Sequence, residues 1–405
     1  MVCATHRHNH NQKNFNGLDG LRLVASVNIV LFHFQYMGGF HDMGGSPDWF
    51  FRLIKGPAFH ASLFFILGGF IFAAKFAPNA SSFKAGAFLK KRFTELYPLH
   101  FITTLIMASL FVIRRWGVES IDWSRLGGSL LMHLSFLWPL WPFGTYNLNT
   151  PSWALSAMFF CYLLFGPMLK WSSSIKSKRA AIFYIFLFFV PLAAWAYLYV
   201  QLGTPHKYYH FFHTFAPIRL FEFGLGVLSA RFFILQRENR ASVPASSIEN
   251  SGKYSLKALC CDLTIALSVC LIYGNLSLQY MGNPNLRFFS YHVFMVPLYL
   301  IILYAAALEK GIAARVLSFP LLRKLGRTSF YPYLIHIPLM SIITIYCERV
   351  LSYRKFLHSP LNILIFMVIL YGCSYLYVYN LRNKRRMRKI ELEAAANLCR
   401  PVSAD

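Results

Sequence analysis

Acidic residues are scarce in this chain of 405 residues: 15 Asp and Glu stand against 40 Lys and Arg, a formal net charge of +25. Charge of either sign is sparse too, at 14%, while apolar residues reach 56% and mean hydropathy is +0.45. This balance excludes an ordinary soluble domain, which is about 45–50% apolar. A basic excess in a soluble protein points to nucleic acid. Here no basic soluble module separates out, and the Lys and Arg gather at the ends of apolar runs, so no nucleic-acid partner is expected. No CxxC pair occurs, and Cys161, Cys260, Cys261, Cys270, Cys347 and Cys373 sit in or beside apolar runs as packing residues. No internal repeat is visible, which disfavours the inverted-repeat transporter designs. The first 16 residues are polar, so a cleavable apolar signal is not expected, and His6, His8 and His10 read as part of a polar tail.

What fills the chain instead is a series of apolar runs of about 20 residues. They lie near 18–37, 57–77, 98–113, 150–169, 180–200, 217–235, 258–277, 288–308, 328–347 and 360–380. They lack period-two alternation, so the backbone satisfies itself as helices rather than as a barrel. A further stretch, 127–143, is interrupted by Trp138, Pro139, Trp141 and Pro142. If it does not cross, the basic loops Lys84–Arg92, Lys170–Arg179, Arg231–Lys257, Lys310–Arg327 and Arg382–Lys389 all fall on one side with both termini. If it crosses, they swap sides halfway. The expectation is an all-α polytopic membrane protein with about ten transmembrane helices, both termini cytoplasmic, and 127–143 re-entrant or interfacial. On this scheme Arg114 and Arg115 fit poorly, since they face outward. Residues 1–16 form a polar tail, 17–381 the membrane domain, and 382–405 a basic tail.

Several runs carry residues that do not belong in oil. In LDGLRLVASVNIVLFHFQYM, Arg22 and His33 are eleven residues apart. At 3.6 residues per turn that is close to three turns, so they share a face about 16 Å apart along the axis, with Ser26 near it. Asp19, one turn before Arg22, is placed to pair with it. Taken singly, an arginine at a span end snorkels and a membrane histidine bonds a neighbouring helix; together on one face they favour function. Histidine is also the side chain suited to take a proton from a hydroxyl near neutral pH. Gly68 and Gly69 in FFILGGF permit close helix approach. Lys84, Lys90, Lys91 and Arg92 precede a span and serve either as topology charge or as a clamp for a phosphate-bearing ligand. In NLNTPSWALSAMFFCYLLFGP, Trp153 and Ser156 follow Pro151 into a helix. HFFHTFAPIRLFEFGLGVL places Arg219 and Glu222 three residues apart at a span entrance, where they can neutralise each other, and His206, His210 and His213 before them read as interfacial. LGRTSFYPYLIHIPLM carries His336 in a late apolar run.

The ordered series LDGLRLVASVNIVLFHF, FFILGGF, FLKKRFTELYPL, PSWALSAMFFCYLLFGP, IRLFEFGLGVL and LGRTSFYPYLIH resembles the motif blocks of the acyltransferase 3 family of integral membrane acyltransferases, over about residues 15–380. Two blocks depart from the family pattern. Its R-x-x-R segment reads Arg92-Phe93-Thr94-Glu95 here, and its W-S-L-S-x-E block reads Trp153-Ala154-Leu155-Ser156-Ala157-Met158. The resemblance implies an O-acyltransferase, most often an O-acetylase of lipopolysaccharide O-antigen or another surface polysaccharide, in a bacterial cytoplasmic membrane. It implies acyl-CoA as donor co-substrate and a glycan or lipid-linked glycan hydroxyl as acceptor; surrounding lipid is the other expected partner, and no metal site is expected. Catalytic roles then fall to His33, Arg22, Asp19 and Glu222, donor contacts to Arg92, Lys91 and Lys90, and acceptor contacts to Trp153, Ser156, Arg219 and His336. A transporter or acyl-group conduit, and a degenerate member acting only as a binder, remain the alternatives.

Overall fold

The computed structural model describes residues 15–38, 60–141, 143–202, 208–241, 255–279, 284–350 and 360–398. These form helices and turns with no strand among the described residues. In chain order the α-helices are α1 (Asn16–Gly38), α2 (His60–Phe76), α3 (Ala85–Arg115), α4 (Trp123–Leu134), α5 (Ser152–Ser174), α6 (Lys178–Gln201), α7 (Tyr209–Thr214) and α8 (Ala216–Ala241). They continue as α9 (Leu256–Gln279), α10 (Pro284–Val293), α11 (Met295–Ala307), α12 (Gly311–Leu317), α13 (Pro320–Gly326), α14 (Phe330–Arg349) and α15 (Pro360–Leu398). His6, His8, His10 and His206 lie outside the described residues.

Nine helical spans among the described residues are long and apolar enough to cross a membrane. α8 is the tenth long helix. Its charges at Arg219, Glu222 and Arg231 separate it from the other nine, and all three side chains are buried inside the bundle. The chain is therefore an all-α polytopic membrane protein, as its hydropathy implies. Two boundaries differ from the sequence reading, each for a reason involving proline. The run at 288–308 is split between α10 and α11, because Pro297 lacks the N–H that would bond the carbonyl of Val293 and its ring crowds that carbonyl. Conversely, α3 begins well before the apolar run at 98–113 and passes through Pro98, so Lys90, Lys91 and Arg92 stand on a helix rather than in a loop.

The stretch 127–143 does not cross. α4 has 12 residues, about 18 Å at 1.5 Å per residue, too short for the hydrocarbon layer. Asp122 caps it by accepting from the Arg125 amide at 2.9 Å. The turn after it reaches down beside the middle of α3: His100 Nε2 meets the His133 carbonyl at 2.9 Å, and the Phe136 ring stacks on the His100 ring at 4.9 Å. Trp138 is buried and donates its indole N–H to Thr145 Oγ1. This is a re-entrant element.

α1, α2, α5, α8 and α11 form the inside of the bundle. α3, α6, α9 and α15 cover it and turn large apolar side chains outward, such as Phe183, Phe186, Leu263 and Val368. α2 and α8 cross in close backbone contact. A Cβ on Gly69 would collide with the Phe223 carbonyl, and one on Gly226 with the Ile66 carbonyl, so both backbones touch. Between apolar helices in lipid, such van der Waals contact of small residues is the principal attraction. At one end of the bundle α1 is clasped by α12 and α13. Gly20 packs on the Leu317 carbonyl, Gly326 packs on the Asp19 carbonyl, and the Asn16 amide donates to Glu309 Oε1 at 2.9 Å. At the opposite end Arg349 donates to the Ile113 carbonyl at 3.2 Å, so α14 runs from the first end to the second.

The α2–α8 contact generates a stability prediction. Gly69→Ala and Gly226→Ala force backbone apart and should each destabilise the protein by about 1–3 kcal/mol. Gly274→Ala, on α9 where an added Cβ meets nothing within 4 Å, is the matched control and should be neutral or better. Thermal unfolding in detergent reads the difference; equal Tm values for all three variants would deny the close contact its role.

Candidate active site

A cavity of about 900 Å³ opens at the end of the bundle where α12 and α13 clasp α1. Its mouth carries six cationic side chains, Arg22, Lys75, Lys91, Arg92, Arg237 and Arg327, against three carboxylates, Asp19, Glu95 and Glu238. All belong to helix ends or the loops beside them, where the basic excess of the sequence collects. Along α2 the lining runs from Lys75 back to Ala61, fourteen residues and about 21 Å of helix. The deeper walls are apolar and aromatic: Phe64, Phe65, Gly68, Leu155, Met158 and Tyr333. The site is thus a long pocket, cationic at its entrance and apolar within.

Asp19 and Arg22 meet at the mouth at 3.6 Å, and Asp19 also accepts from Arg327 Nε at 2.6 Å. One carboxylate so holds two guanidinium groups, one from α1 and one that follows α13. Arg92 is fixed twice over. Its Nη1 donates to Glu95 at 3.0 Å, and its guanidinium lies over the rings of Phe72 and Phe88 at 4.9 and 5.5 Å. Glu95, the departure from the R-x-x-R pattern, therefore neutralises the first arginine of that block instead of adding a second. Lys91 lines the mouth, whereas Lys90 is exposed and outside the lining. Met158, the other departure, adds an apolar wall where the resembled block carries an acid.

His33 lies three turns along α1 from Arg22 and is not part of the cavity lining. Its Nδ1 is 2.8 Å from the Ile29 carbonyl, four residues back. A carbonyl only accepts, so Nδ1 carries the hydrogen and Nε2 keeps a lone pair. The His33 ring is 4.9 Å, centroid to centroid, from the ring of His336. His336 is fully buried, three residues beyond Tyr333, which does line the cavity. Between Arg22 and His33, Ser26 is buried and bonded to Tyr371 Oη at 2.7 Å and to the Ser329 carbonyl at 3.1 Å, which completes the polar stripe of α1.

A second polar cluster adjoins the inner end of the cavity. Arg219 Nη1 donates to Glu222 Oε1 at 2.6 Å and to Ser62 Oγ at 3.1 Å, and Ser62 donates to Glu222 at 2.8 Å. Ser62 follows Ala61 of the cavity lining. Arg219 also donates to the His213 carbonyl and stacks over Trp153 at 5.3 Å. His292 Nδ1 lies 3.5 Å from Glu222 Oε1. His213, read from sequence as interfacial, is instead buried, and burial together with the Arg219 guanidinium pushes its imidazole well below the usual range. Trp153 is buried between Phe65 and His213, while the Ser156 hydroxyl bonds back to the Ser152 carbonyl at 3.2 Å. Neither residue lines the cavity. Of the sequence candidates, the structure therefore gathers Asp19, Arg22, Lys91 and Arg92 at one end, His33 and His336 in a pair, and Trp153, Arg219 and Glu222 in a third group.

Sequence reasoning missed Lys75, Arg237 and Arg327 at the mouth, and Ser62, His292 and Tyr333 within. Arg327 sits in the LGRTSF block, but a lone basic residue before a span is indistinguishable from topology charge until the fold brings Asp19 to it.

The Arg219–Glu222 pair is taken wholly out of water, so losing one partner leaves the other buried and uncompensated. Arg219→Met and Glu222→Leu should each cost about 3–5 kcal/mol. The double variant should cost clearly less than the two together, since it leaves no lone charge. Unfolding of all three in detergent closes the cycle; strict additivity would mean the pair is not coupled.

Comparisons with known proteins agree with the motif series. A family model described as an acyltransferase domain matches residues 15–379. The chain is 24% identical to a Streptomyces mycarofaciens protein named acyltransferase MdmB, over 79% of this chain and 77% of that one. It is 30% identical to a Rhizobium radiobacter protein named protein 2 in the picA locus, over 34% of this chain and 73% of that one. No solved structure matches it.

Proposed function

Because this chain belongs to the acyltransferase 3 family, whose domain model covers residues 15–379, we propose that it moves an acyl group from cytoplasmic acyl-CoA to a hydroxyl of a cell-surface glycan. Membrane acyltransferase is the activity the family carries; the donor, the acceptor and the O-acyl product are our reading. The observation that carries it is the polarity of the cavity: a cationic mouth, a long apolar throat, and an imidazole base beyond its inner wall.

Each part matches one part of the reaction. The diphosphate and ribose phosphate of CoA are polyanionic, and guanidinium groups bind phosphate through paired N–H donors. Arg22, Arg92 and Arg327 supply that fork geometry, with Lys75, Lys91 and Arg237 adding charge around them. The pantetheine arm is slender and suits a throat of Phe64, Phe65, Gly68 and Leu155. Entering from the mouth, the thioester travels towards Tyr333 and the histidines behind it. His33 Nε2 takes the proton of the acceptor hydroxyl, the oxygen attacks the thioester carbonyl, and the C–S bond breaks. General-base action of this kind accounts for about 10²–10⁴-fold; positioning and stabilisation of the oxyanion supply the rest.

By the positive-inside rule the mouth faces the cytoplasm, in a bacterial inner membrane, with both termini on that side. The acceptor then arrives from the opposite face as lipopolysaccharide O-antigen, another surface polysaccharide or a lipid-linked precursor. Acetyl-CoA is the donor the resemblance favours. Glu95 and Met158 do not turn the protein into a mere binder on this reading, because Arg327, Arg237 and Lys75 keep the mouth cationic without a second arginine in the α3 block.

The test is transfer of labelled acetyl from acetyl-CoA to the glycan fraction of membranes holding the wild-type protein or His33→Gln at equal level. Glutamine keeps a hydrogen bond but is no base at neutral pH. Transfer by the wild type and a loss of at least about 10²-fold in His33→Gln are expected. Near-normal transfer by the variant returns His33 to a packing role; no transfer by the wild type sinks the enzyme reading itself.

A further inference from the structure

We propose that the basic stretch of α15 beyond the cavity mouth gathers the polyanionic donor at the entrance, through Arg385 and Lys389 on the helix face that lines the cavity. The proposal rests on the acyl-CoA reading and deepens it.

α15 is one unbroken helix from Pro360 to Leu398. Contacts on two sides fix its place at the mouth. The Tyr371 hydroxyl meets Ser26 of α1 at 2.7 Å, and the Tyr377 ring lies 5.8 Å from that of Tyr331 at the start of α14. Just beyond, Val378 and Leu381 line the cavity, and the apolar part of the helix ends at Leu381. The next eight residues, RNKRRMRK, hold six cations: Arg382, Lys384, Arg385, Arg386, Arg388 and Lys389. The acids Glu391 and Glu393 follow only after them. Basic charge therefore starts at the rim of the mouth, on the same helix that forms part of its wall.

Helical register sorts these cations. At about 100° per residue, positions four, seven, eight and eleven residues on return to nearly the same face. Arg385 follows Val378 by seven residues and Leu381 by four; Lys389 follows them by eleven and eight. Both positions continue the cavity-lining face. Arg382 and Arg388 align with one lining residue each, and Lys384 and Arg386 fall to the sides. Topology charge is a matter of count and needs neither a helix nor a register. The axial reach is short as well. Lys389 lies eight residues past Leu381, about 12 Å, close to the Debye length of about 10 Å at 0.1 M salt.

Within the mouth, part of the positive field is neutralised: Arg22 and Arg327 share Asp19, and Arg92 is held by Glu95. Cations stepping outward along one wall extend the attraction beyond those pairs. Charge of one sign around a cleft with low-dielectric walls raises the local concentration and the on-rate of an opposite ion by about 10–10³-fold. The phosphates of acyl-CoA are the ion that such a field collects.

The experiment measures association and dissociation rates of acetyl-CoA by rapid mixing, with the full-length protein in nanodiscs of neutral phosphatidylcholine. Arg385→Gln/Lys389→Gln removes the aligned pair. Lys384→Gln/Arg386→Gln removes the same charge at the same depth but off the face. At low ionic strength the aligned variant should associate about tenfold more slowly at an unchanged dissociation rate, and the off-face variant less than about threefold more slowly. The difference should vanish near 1 M salt, where the Debye length is about 3 Å. Acetyl-pantetheine, which has the thioester arm without phosphate, should bind all three proteins at the same rate. Arg385→Lys/Lys389→Arg keeps the charge and should keep the rate. Wild-type association by the aligned variant, equal losses in the two double variants, or an equal loss with acetyl-pantetheine overturns the proposal. So does a loss that appears only when anionic phosphatidylglycerol is added to the nanodisc, which would make the stretch a lipid anchor. A wild type that binds neither donor would instead refute the acyl-CoA reading beneath, and the proposal with it.

Discussion

Asp19 holds the architecture of the mouth together. Its carboxylate binds Arg22 of its own helix and Arg327 at the end of α13, while its backbone carbonyl is pressed against Gly326. In an apolar medium a cation near a span end needs a partner or water, and here one acid supplies the partner for two. That clasp fixes the start of α1 against the start of α14. Everything further along α1 follows from helix geometry: Arg22 is aimed into the cavity, Ser26 meets Tyr371, and His33 arrives beside His336.

The inner end of the cavity is built on the opposite principle. There the charges are fully buried and paired inward, with Arg219, Glu222 and Ser62 closed on one another beneath Trp153, while Glu222 Oε2 has no hydrogen-bond partner among the described residues. A buried ion pair of this kind is weak support for stability in itself, but it fixes geometry, because any displacement strands a charge in oil. The close backbone contact of α2 with α8 through Gly69 and Gly226 sets Ser62 opposite Glu222 and makes the pairing possible. The cavity thus runs between two charged layers, an open one at the mouth and a closed one within. On the acyl-CoA reading proposed above, that contrast seats a polyanionic donor at one end while its reactive group enters an apolar throat.

Much of the fold was legible in the sequence, because bilayer thickness imposes run length and loop charge imposes direction. That 127–143 does not cross followed from Trp138, Pro139 and the charge of its neighbours. Pro297 splitting α10 from α11 was equally readable, yet hydropathy averages across it. Of the site, the Arg22–His33 stripe and the Arg219–Glu222 pair were visible because both are intrahelical spacings. Partners brought from distant segments were not. Nothing in the sequence tells Arg327 from ordinary topology charge, or pairs His336 with His33 across some 300 residues, and Ser62 has no mark at all. Glu95 illustrates the converse: its departure from the family pattern was plain, but only the fold shows that it holds Arg92 rather than leaving a gap.

The central claim is that the cationic mouth holds the phosphates of acyl-CoA while His33 does chemistry further in. Calorimetric titration of the purified protein with acetyl-CoA tests it most directly, comparing wild type, Arg92→Gln/Arg327→Gln and His33→Gln. Each charge-assisted bond lost is worth about 1.5–3 kcal/mol, and tenfold in affinity corresponds to about 1.4. The account predicts binding by the wild type, a Kd weakened by at least about tenfold in the mouth variant, and an unchanged Kd in His33→Gln. Equal affinity of the mouth variant and the wild type would contradict it.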